Sequence, residues 1–278
     1  MSVAEFSAIV FLGSAAGGFL GALTGLGGGV VVVPLLTLLL GVDIRYAAGA
    51  ALISVIATSS GAASAYLREG YSNLRVGMLL EIATSLGAVA GATLAARVPA
   101  PAIAVIFGAV LLASTALSLR RYAEPAELGP PDPLAARLRL DGSYPTATGA
   151  QRYRVRRVPA ASLLMGLAGL LSGLLGIGSG ALKVLALDGA MGLPFKVSTT
   201  TSNFMIGVTA AASAGVYLRR GYIDPGLAMP VMLGVLMGSL AGARLLPQMS
   251  SRFLRALFAV LIAALGVEMI ASGVGGRI

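Results

Sequence analysis

A cluster of closely spaced glycines interrupts a long apolar stretch of this chain at two places. The first cluster comprises Gly25, Gly27, Gly28 and Gly29, and the second comprises Gly176, Gly178 and Gly180 with Ser179 between them. Each glycine costs a helix about 1 kcal/mol relative to alanine. Backbone freed from a helix inside a bilayer must find partners in protein or beside a water-filled cavity. Two such interruptions predict a paired site near the middle of a membrane, as in transporters built from repeats.

The clusters belong to a longer internal repeat with a constant offset. Gly25 and Gly176 lie 151 positions apart (176 minus 25), and the same interval joins Tyr66-Leu67-Arg68 to Tyr217-Leu218-Arg219. Further glycines match at this interval without a gap: Gly27 with Gly178, Gly29 with Gly180, Gly41 with Gly192, Gly87 with Gly238, and Gly91 with Gly242. We interpret the chain as two homologous membrane repeats, residues 1–118 and 159–278, separated by a linker at 119–158.

Composition places both repeats in a membrane. The 278 residues are 57% hydrophobic and 11% charged, whereas soluble domains carry about a quarter charged residues. Apolar stretches near 20 residues can cross a bilayer as helices, so we predict an all-α polytopic protein with about eight full spans. The segments after the glycine clusters, Val30–Leu40 and Ala181–Met191, are too short to cross alone and predict half-helices. Five segments per repeat would give inverted repeats and four would give parallel ones, and both stay open.

The linker carries much of the net charge of +9. Positive charge in a loop between spans indicates the cytoplasmic side, so the basic balance needs no nucleic acid to explain it. Residues 137–140 and 153–156 alternate basic and apolar side chains on either side of the turn signal Asp141-Gly142, which predicts a small β-hairpin against the membrane face. A disordered basic linker is the alternative.

The chain has no Cys and no His. Their absence excludes disulfides and the usual zinc and copper ligands, and we predict no metal and no cofactor.

Two motifs resemble a known family. The run from Gly17-Gly18-Phe19-Leu20-Gly21 through the first glycine cluster to Pro34, together with Thr201–Thr209 in the second repeat, is similar to the TauE/SafE sulfite exporter family, also called the toluenesulfonate-uptake permeases. The resemblance covers nearly the whole chain apart from the linker. It implies a permease of the bacterial inner membrane that carries sulfite, sulfonates or related acids. The chain departs from the family pattern at Ser179, where glycine is usual, and at Leu185, where proline is frequent.

The glycine clusters could bind an anion through backbone alone. Consecutive N–H groups in a turn form an anion-binding nest, and a helix N-terminus adds a positive dipole end. On this hypothesis, a side chain introduced at Gly28 or Gly178 would fill the space of the bound oxyanion. The alternative is that the glycines allow close helix packing, and for Gly87, Gly91, Gly238 and Gly242 we favour packing.

Lys183 is the most specific candidate side chain. It follows Gly180 by three positions in an otherwise apolar run, whereas the matching position in the first repeat is Val32. An ammonium in a membrane segment costs about 3 kcal/mol or more and marks a functional candidate. A bound sulfite or sulfonate would balance its charge. The alternatives are a structural ion pair with Asp188 and snorkelling to the interface.

Other polar residues in the apolar segments extend the candidate site. Ser202 and Asn203 belong to a polar stripe that opens a span, and both can donate hydrogen bonds to an anion. Glu81 and Asp188 are acids within apolar segments, and either could carry a proton if transport is coupled to the proton gradient. Either could equally neutralise a cation.

These features predict a multi-pass secondary transporter of the bacterial inner membrane. The glycine clusters and Lys183 would bind a small anion, and the two repeats would rock to alternate access. An anion channel and a non-transporting sensor or assembly subunit are the alternatives, whereas an enzyme is disfavoured because no His, Cys or metal cluster is present. The predicted partners are the anion and the lipid bilayer, and homodimer formation stays open.

Overall fold

The computed structural model describes residues 3–24, 28–68, 72–119, 132–146, 149–178, 180–245 and 251–278. Long helices dominate these ranges: α1 (Val3–Thr24), α3 (Ile44–Arg68), α4 (Leu74–Ala95), α5 (Ala100–Leu119), α7 (Val158–Leu175), α9 (Phe195–Arg219), α10 (Pro225–Leu245) and α11 (Ser251–Val274). Among the described residues, four of them contain apolar windows long enough to cross a membrane, namely those in α1, α4, α7 and α10. The chain is therefore an all-α membrane protein.

Two short helices lie where half-helices were predicted. Helix α2 (Gly29–Pro34) continues into a π-helical turn at Leu35–Leu39, and α8 (Gly180–Leu185) continues into a π-helical turn at Ala186–Ala190. We call residues 29–39 the first half-helix and residues 180–190 the second half-helix. Each is followed by a glycine with positive φ, Gly41 at 64° and Gly192 at 72°. Because other residues seldom adopt this conformation, a glycine there ends the helix at low cost.

The linker has a folded part of its own. Residues 132–157, which we call the linker module, contain α6 (Pro133–Arg137) and an antiparallel pair of strands, β1 (Gly142–Thr146) and β2 (Gly149–Tyr153). The strands lie elsewhere than the alternation indicated. Residues 137–140 end a helix that Asp132 caps through the Leu134 N–H, and Asp141 accepts a hydrogen bond from the Val155 N–H at 2.8 Å. The predicted turn at Asp141-Gly142 therefore lies at the start of β1, and the strands are joined at 147–148, outside the described residues.

Hydrogen bonds and ring contacts identify the two ends of the helical bundle. At the linker end, the Asn73 side chain before α4 donates to the Leu140 carbonyl at 2.8 Å, and the Arg156 N–H donates to the Met191 carbonyl after the second half-helix at 3.0 Å. At the far end, Arg45 near the start of α3 donates to the Ala95 carbonyl at 3.1 Å. The Tyr46 and Tyr222 rings also meet at the far end, with centroids 5.7 Å apart.

The two halves of the chain run through the bundle in opposite directions. Helix α7 follows the linker module, so it begins at the linker end, and it reaches the far end, where the Tyr217 hydroxyl donates to the Gly173 carbonyl. Helix α10 begins at the far end after Tyr222. Because Gly234 packs on the Phe11 carbonyl and Gly238 on the Ala15 carbonyl, α1 runs parallel to α10 and also begins at the far end.

Glycines allow the closest helix contacts of the bundle. A Cβ atom at Gly87 or Gly91 of α4 would collide with a carbonyl oxygen of α7, and one at Gly238 of α10 would collide with the Ala15 carbonyl of α1. These three positions are packing glycines, as expected, since small residues let membrane helices approach backbone to backbone. Each half's first helix is thereby held against the other half's penultimate long helix.

Candidate functional site

A chain of three buried polar side chains crosses the interior of the bundle. The Lys183 ammonium of the second half-helix donates to the Thr209 hydroxyl of α9. That hydroxyl lies 2.7 Å from Glu81 Oε1 of α4 and donates to it. Lys183 is fully buried and Glu81 is 7% exposed. The three residues come from three different elements and from both halves of the chain, so the fold, rather than local sequence, brings them together.

The carboxylate of Glu81 is only half satisfied. Oε1 also accepts a hydrogen bond from Ser85, one helical turn further along α4, at 2.8 Å. Among the described residues, Oε2 is buried without a hydrogen-bond partner. A buried carboxylate oxygen without a donor loses its hydration and regains nothing. No group of three or more carboxylates that could hold a metal ion is present in the described part of the chain.

The alternative pairing of Lys183 with Asp188 does not occur in the structure. Asp188 lies in the π-helical turn that follows α8 and is partly exposed, and the hydrogen bond of Lys183 runs to Thr209 instead. Five residues separate the two on the same half-helix, a spacing at which side chains do not share a helix face. Lys183 also does not snorkel, since its side chain is fully buried. The cation is balanced from across the bundle by Glu81, through Thr209.

Buried polar side chains from two successive parts of α9 share one face of that helix. Ser202 and Thr209 are seven residues apart, about two helical turns, and both are buried. The Ser202 hydroxyl donates to the Gly180 carbonyl at 3.3 Å, which ties α9 to the start of the second half-helix. Asn203 is one residue beyond Ser202 and is partly exposed, so it lies outside the face that carries Thr209.

The second glycine cluster has irregular backbone, as predicted. Gly176 ends α7 with a φ of 71°, and Gly178 has a φ of 67°. The space beside these glycines differs from the prediction, because it holds an aliphatic side chain. A Cβ atom at Gly178 would lie 2.8 Å from Ile206 Cγ2, and one at Gly180 would lie 2.8 Å from Ile206 Cδ1. Any anion near this turn would therefore meet its backbone from another side.

The first glycine cluster approaches the second. A Cβ atom at Gly29 would lie 3.5 Å from the Gly176 carbonyl oxygen, so the two interruptions meet inside the bundle. At Gly28 the side-chain space is again occupied, because a Cβ atom there would lie 2.5 Å from Val235 Cγ1. Gly25, Gly27 and Ser179 lie outside the described residues.

The linker module contacts the elements that carry the buried chain. The Asn73 side chain caps α4 by accepting from the Val76 N–H, and its amide group donates to the Tyr153 hydroxyl at 2.9 Å. The Asn73 backbone N–H donates to the Thr201 hydroxyl of α9 at 3.0 Å. Burial raises the pKa of Tyr153 above its usual range. Arg156 joins the module to the end of the second half-helix. The module therefore contacts the start of α4, which carries Glu81, and the end of the half-helix that carries Lys183. Asn73 in turn joins this end of α4 to α9, which carries Thr209.

Sequence reasoning missed two members of the site. Thr209 was recognised as part of a motif but received no role, although its spacing of seven from Ser202 places both on one helix face. Ser85 follows Glu81 by four positions, the spacing at which helical side chains meet. Both signals were present in the sequence, but each gains its meaning from a partner on another helix.

Comparisons with known proteins agree with a membrane transporter. The family model described as "Sulfite exporter TauE/SafE" matches residues 9–269. The "Probable membrane transporter protein YunE" of Bacillus subtilis (strain 168) is 26% identical over 278 residues, covering 97% of this chain and 99% of that protein. The "Probable membrane transporter protein YdhB" of the same organism is 27% identical over 228 residues, covering 82% of this chain and 83% of that protein. No solved structure matches the chain significantly.

Proposed function

Because the chain belongs to the TauE/SafE sulfite exporter family and is therefore a multi-pass membrane transporter rather than an enzyme, we propose that it carries a small sulfur-containing anion such as sulfite or a sulfonate. One observation carries the proposal. Lys183 is a fully buried cation whose hydrogen bond runs to a neutral hydroxyl rather than directly to a carboxylate. An oxyanion can therefore bind the ammonium without first displacing a direct ion pair.

The proposed binding site surrounds Lys183. Ser202 of α9 would donate to the anion by turning its hydroxyl away from the Gly180 carbonyl, and Asn203 would reach the anion from the neighbouring face of α9. The backbone of both glycine clusters, Gly25 to Gly29 and Gly176 to Gly180, completes the site and includes Ser179. In the transport cycle Glu81 and Asp188 are the two candidates for carrying a proton. Charge-assisted hydrogen bonds from an ammonium are roughly twice as strong as neutral ones, which makes Lys183 the principal anchor of the anion.

We infer that the two halves are inverted repeats that rock around this site. The interval of 151 residues joins the starts of the half-helices (Gly29 and Gly180) and the starts of α4 and α10 (Leu74 and Pro225). The opposite courses of α1 and α7 further support inversion rather than parallel repeats. With the half-helices returning to the end from which the chain entered, the eight long helices would be the full spans. Carriers of this kind bind substrate at the repeat interface near mid-membrane.

Reconstitution tests this function. Purified protein in proteoliposomes should take up radiolabelled sulfite or methanesulfonate with saturation, and unlabelled anion inside should accelerate entry of the label by counterflow. Flux without saturation or counterflow would indicate a channel. Substrate binding without flux would indicate a sensor. Absence of both binding and flux for sulfite, sulfonates and carboxylates would refute the proposal.

A further inference from the structure

We propose that Glu81 takes up a proton each time Lys183 binds the anion, so that the protein moves one anion and one proton together. The inference rests on the proposed function and assigns its coupling ion and coupling residue. It selects Glu81 rather than Asp188, and it gives Thr209 the role of the positioning residue that joins the two charges. The buried chain Lys183–Thr209–Glu81 is its structural basis.

Net charge in the bundle interior is the basis of the coupling. In the empty protein, one ammonium and one carboxylate are buried together around Thr209, so they sum to zero. A monovalent anion bound to Lys183 without a proton leaves one net negative charge, and a proton on Glu81 without an anion leaves one net positive charge. Burying an uncompensated charge is costly. The empty state and the state with both ligands are the neutral ones, and these are the states that can reorient.

The geometry of Glu81 provides a place for the proton. Oε1 keeps its hydrogen bonds from Thr209 at 2.7 Å and Ser85 at 2.8 Å in either state. Oε2 is buried without a partner in the described part of the chain. On one side of the membrane a hydronium ion transfers a proton to Oε2, so that one of its O–H bonds breaks, an O–H bond forms at Oε2 and water is left. On the other side the O–H bond at Oε2 breaks and the proton returns to water. The anion accepts from the Lys183 ammonium meanwhile, and no other bond changes.

Lys183 is the charged group that reaches Glu81 from the elements packed against α4. Helix α7 contributes no titratable residue between Val158 and Leu175. Lys196 and Arg219 lie at the two ends of α9, and Tyr217 binds carbonyls of α7 at the far end. Arg75 at the start of α4 donates to the Arg139 carbonyl of the linker module. Asp141 and Tyr153 belong to the same module. Asp188 is on the half-helix of Lys183 but outside the hydrogen-bonded chain.

Proton counting tests the inference directly. Methanesulfonate is the probe because it carries no titrating proton near neutral pH. When it binds purified wild-type protein in weakly buffered detergent solution, a pH dye should report uptake of roughly one proton per bound anion, and affinity should fall about tenfold per pH unit in the alkaline range. Glu81→Gln should bind methanesulfonate without proton uptake and with pH-independent affinity. Glu268→Gln, which changes a carboxylate at the exposed surface of α11, should behave as the wild type does.

Flux measurements separate this inference from the proposed function. In proteoliposomes, a pH gradient should drive accumulation of methanesulfonate by the wild type, and a potassium diffusion potential should not. Glu81→Gln should retain counterflow and lose the pH-driven accumulation.

Wild-type flux without proton uptake, or proton uptake that survives in Glu81→Gln, would overturn the inference and leave the transporter proposal intact. Loss of proton uptake in Asp188→Asn with retention in Glu81→Gln would overturn it as well. Absence of methanesulfonate binding and flux in the wild type would remove the sulfonate proposal and the inference together.

Discussion

The two half-helices have the same backbone and opposite chemistry. Both consist of six α-helical residues followed by a five-residue π-helical turn and a left-handed glycine. At the third residue after Gly29 the first half-helix places Val32, and at the third residue after Gly180 the second places Lys183, and both side chains are fully buried. The glycines and the apolar pattern therefore determine the shape of a half-helix, and a single buried position determines its charge.

The same contrast extends to the partners of Lys183. The residues 151 positions from Thr209 and Glu81 are Thr58 and Met232. Both hydroxyls lie within hydrogen-bond distance of the carbonyl four residues back in their own helix, Thr58 at 3.0 Å from Ser54 and Thr209 at 2.9 Å from Met205. The Thr209 hydroxyl alone of the two also joins charged groups from other elements. A carrier with one anion site needs one buried cation. In this chain the cation is Lys183 of the second half-helix, and its counter-charge is Glu81 of α4.

The largest expected effect comes from removing the charge of the second half-helix. Lys183→Met leaves Glu81 buried without a counter-charge, so we expect the free energy of unfolding at neutral pH to fall by up to about 3–5 kcal/mol. Denaturant titration of the empty protein in detergent measures it. The double variant with Glu81→Gln should recover most of the loss, because no charge then remains buried.

A second double variant identifies the partner of Lys183. Combining Lys183→Met with Asp188→Asn should bring no recovery, since Asp188 is not part of the buried chain. Recovery with Asp188→Asn and none with Glu81→Gln would show that the cation is balanced within its own half-helix. The second half-helix would then differ from the first by an internal ion pair, with no partner on another helix.

Thr209→Val is expected to have the next largest effect. The substitution removes the hydroxyl that accepts from Lys183 and donates to Glu81, and leaving charged groups without hydrogen bonds costs about 1–3 kcal/mol. Thr58→Val is the matched control, because Thr58 donates only to carbonyls of α3, and we expect a loss below about 1 kcal/mol. Thermal unfolding of both variants compares them. Equal losses would indicate that Thr209 contributes by packing alone.

The glycine turns should differ in a smaller way. Gly178→Ala must adopt a positive φ and meets Ile206, so it should cost about 1–2 kcal/mol of stability. Gly28 has a helical φ of −64°, and the atom its Cβ would meet is the end of the Val235 side chain. Gly28→Ala therefore strains no backbone dihedral and must only displace the Val235 methyl group, so it should cost less stability than Gly178→Ala. The two free energies of unfolding, measured side by side, test whether backbone conformation or contact sets the difference.

The sequence predicted the half-helices closely and the charge network only in part. The apolar segments at Val30–Leu40 and Ala181–Met191 fall within one residue of the helices and π-helical turns in the structure, because glycines leave a strong local signal. Lys183 was recognised because an ammonium in an apolar run is costly wherever it lies. Its partner was not predicted, since Glu81 belongs to the other half and Asp188 was nearer in sequence. Proximity along the chain is a poor guide to contacts between helices.

The linker module shows the same limit. Alternating side chains predicted a hairpin, yet β1 begins at Gly142, five residues after Arg137, because Asp132 first caps a short helix. Strand β2 ends at Tyr153, where the second alternating run begins. Sequence alternation could not reveal that Asp132 also reaches Val158 at the start of α7. The linker module also distinguishes the ends of the two half-helices. Beside Gly192 lies the Arg156 guanidinium of the linker module, whereas no described atom lies within 4 Å of a Cβ placed at Gly41.

The smallest expected effect concerns this contact of Asp132. Hydrogen bonds from backbone N–H groups, above all that of Val158, hold the pKa of the Asp132 carboxyl below its usual value of 3.8. Because the folded pKa is lowered, the carboxylate stabilises docking of the linker module above the unfolded pKa, and this contribution is lost as pH falls through the folded pKa. Hydrogen exchange at the Val158 amide, corrected for its intrinsic rate, should show protection that declines below about pH 4.

Two variants of Asp132 serve as controls. Asp132→Asn keeps an acceptor without a charge, so protection of the Val158 amide should not change over this pH range, and Asp132→Ala should lack that protection at every pH. The amides of α2, in the first half-helix, should not respond in either variant. Among the described residues, the linker module contacts the second of the two half-helices and not the first. A matching decline in Asp132→Asn would assign the pH dependence to another carboxyl group.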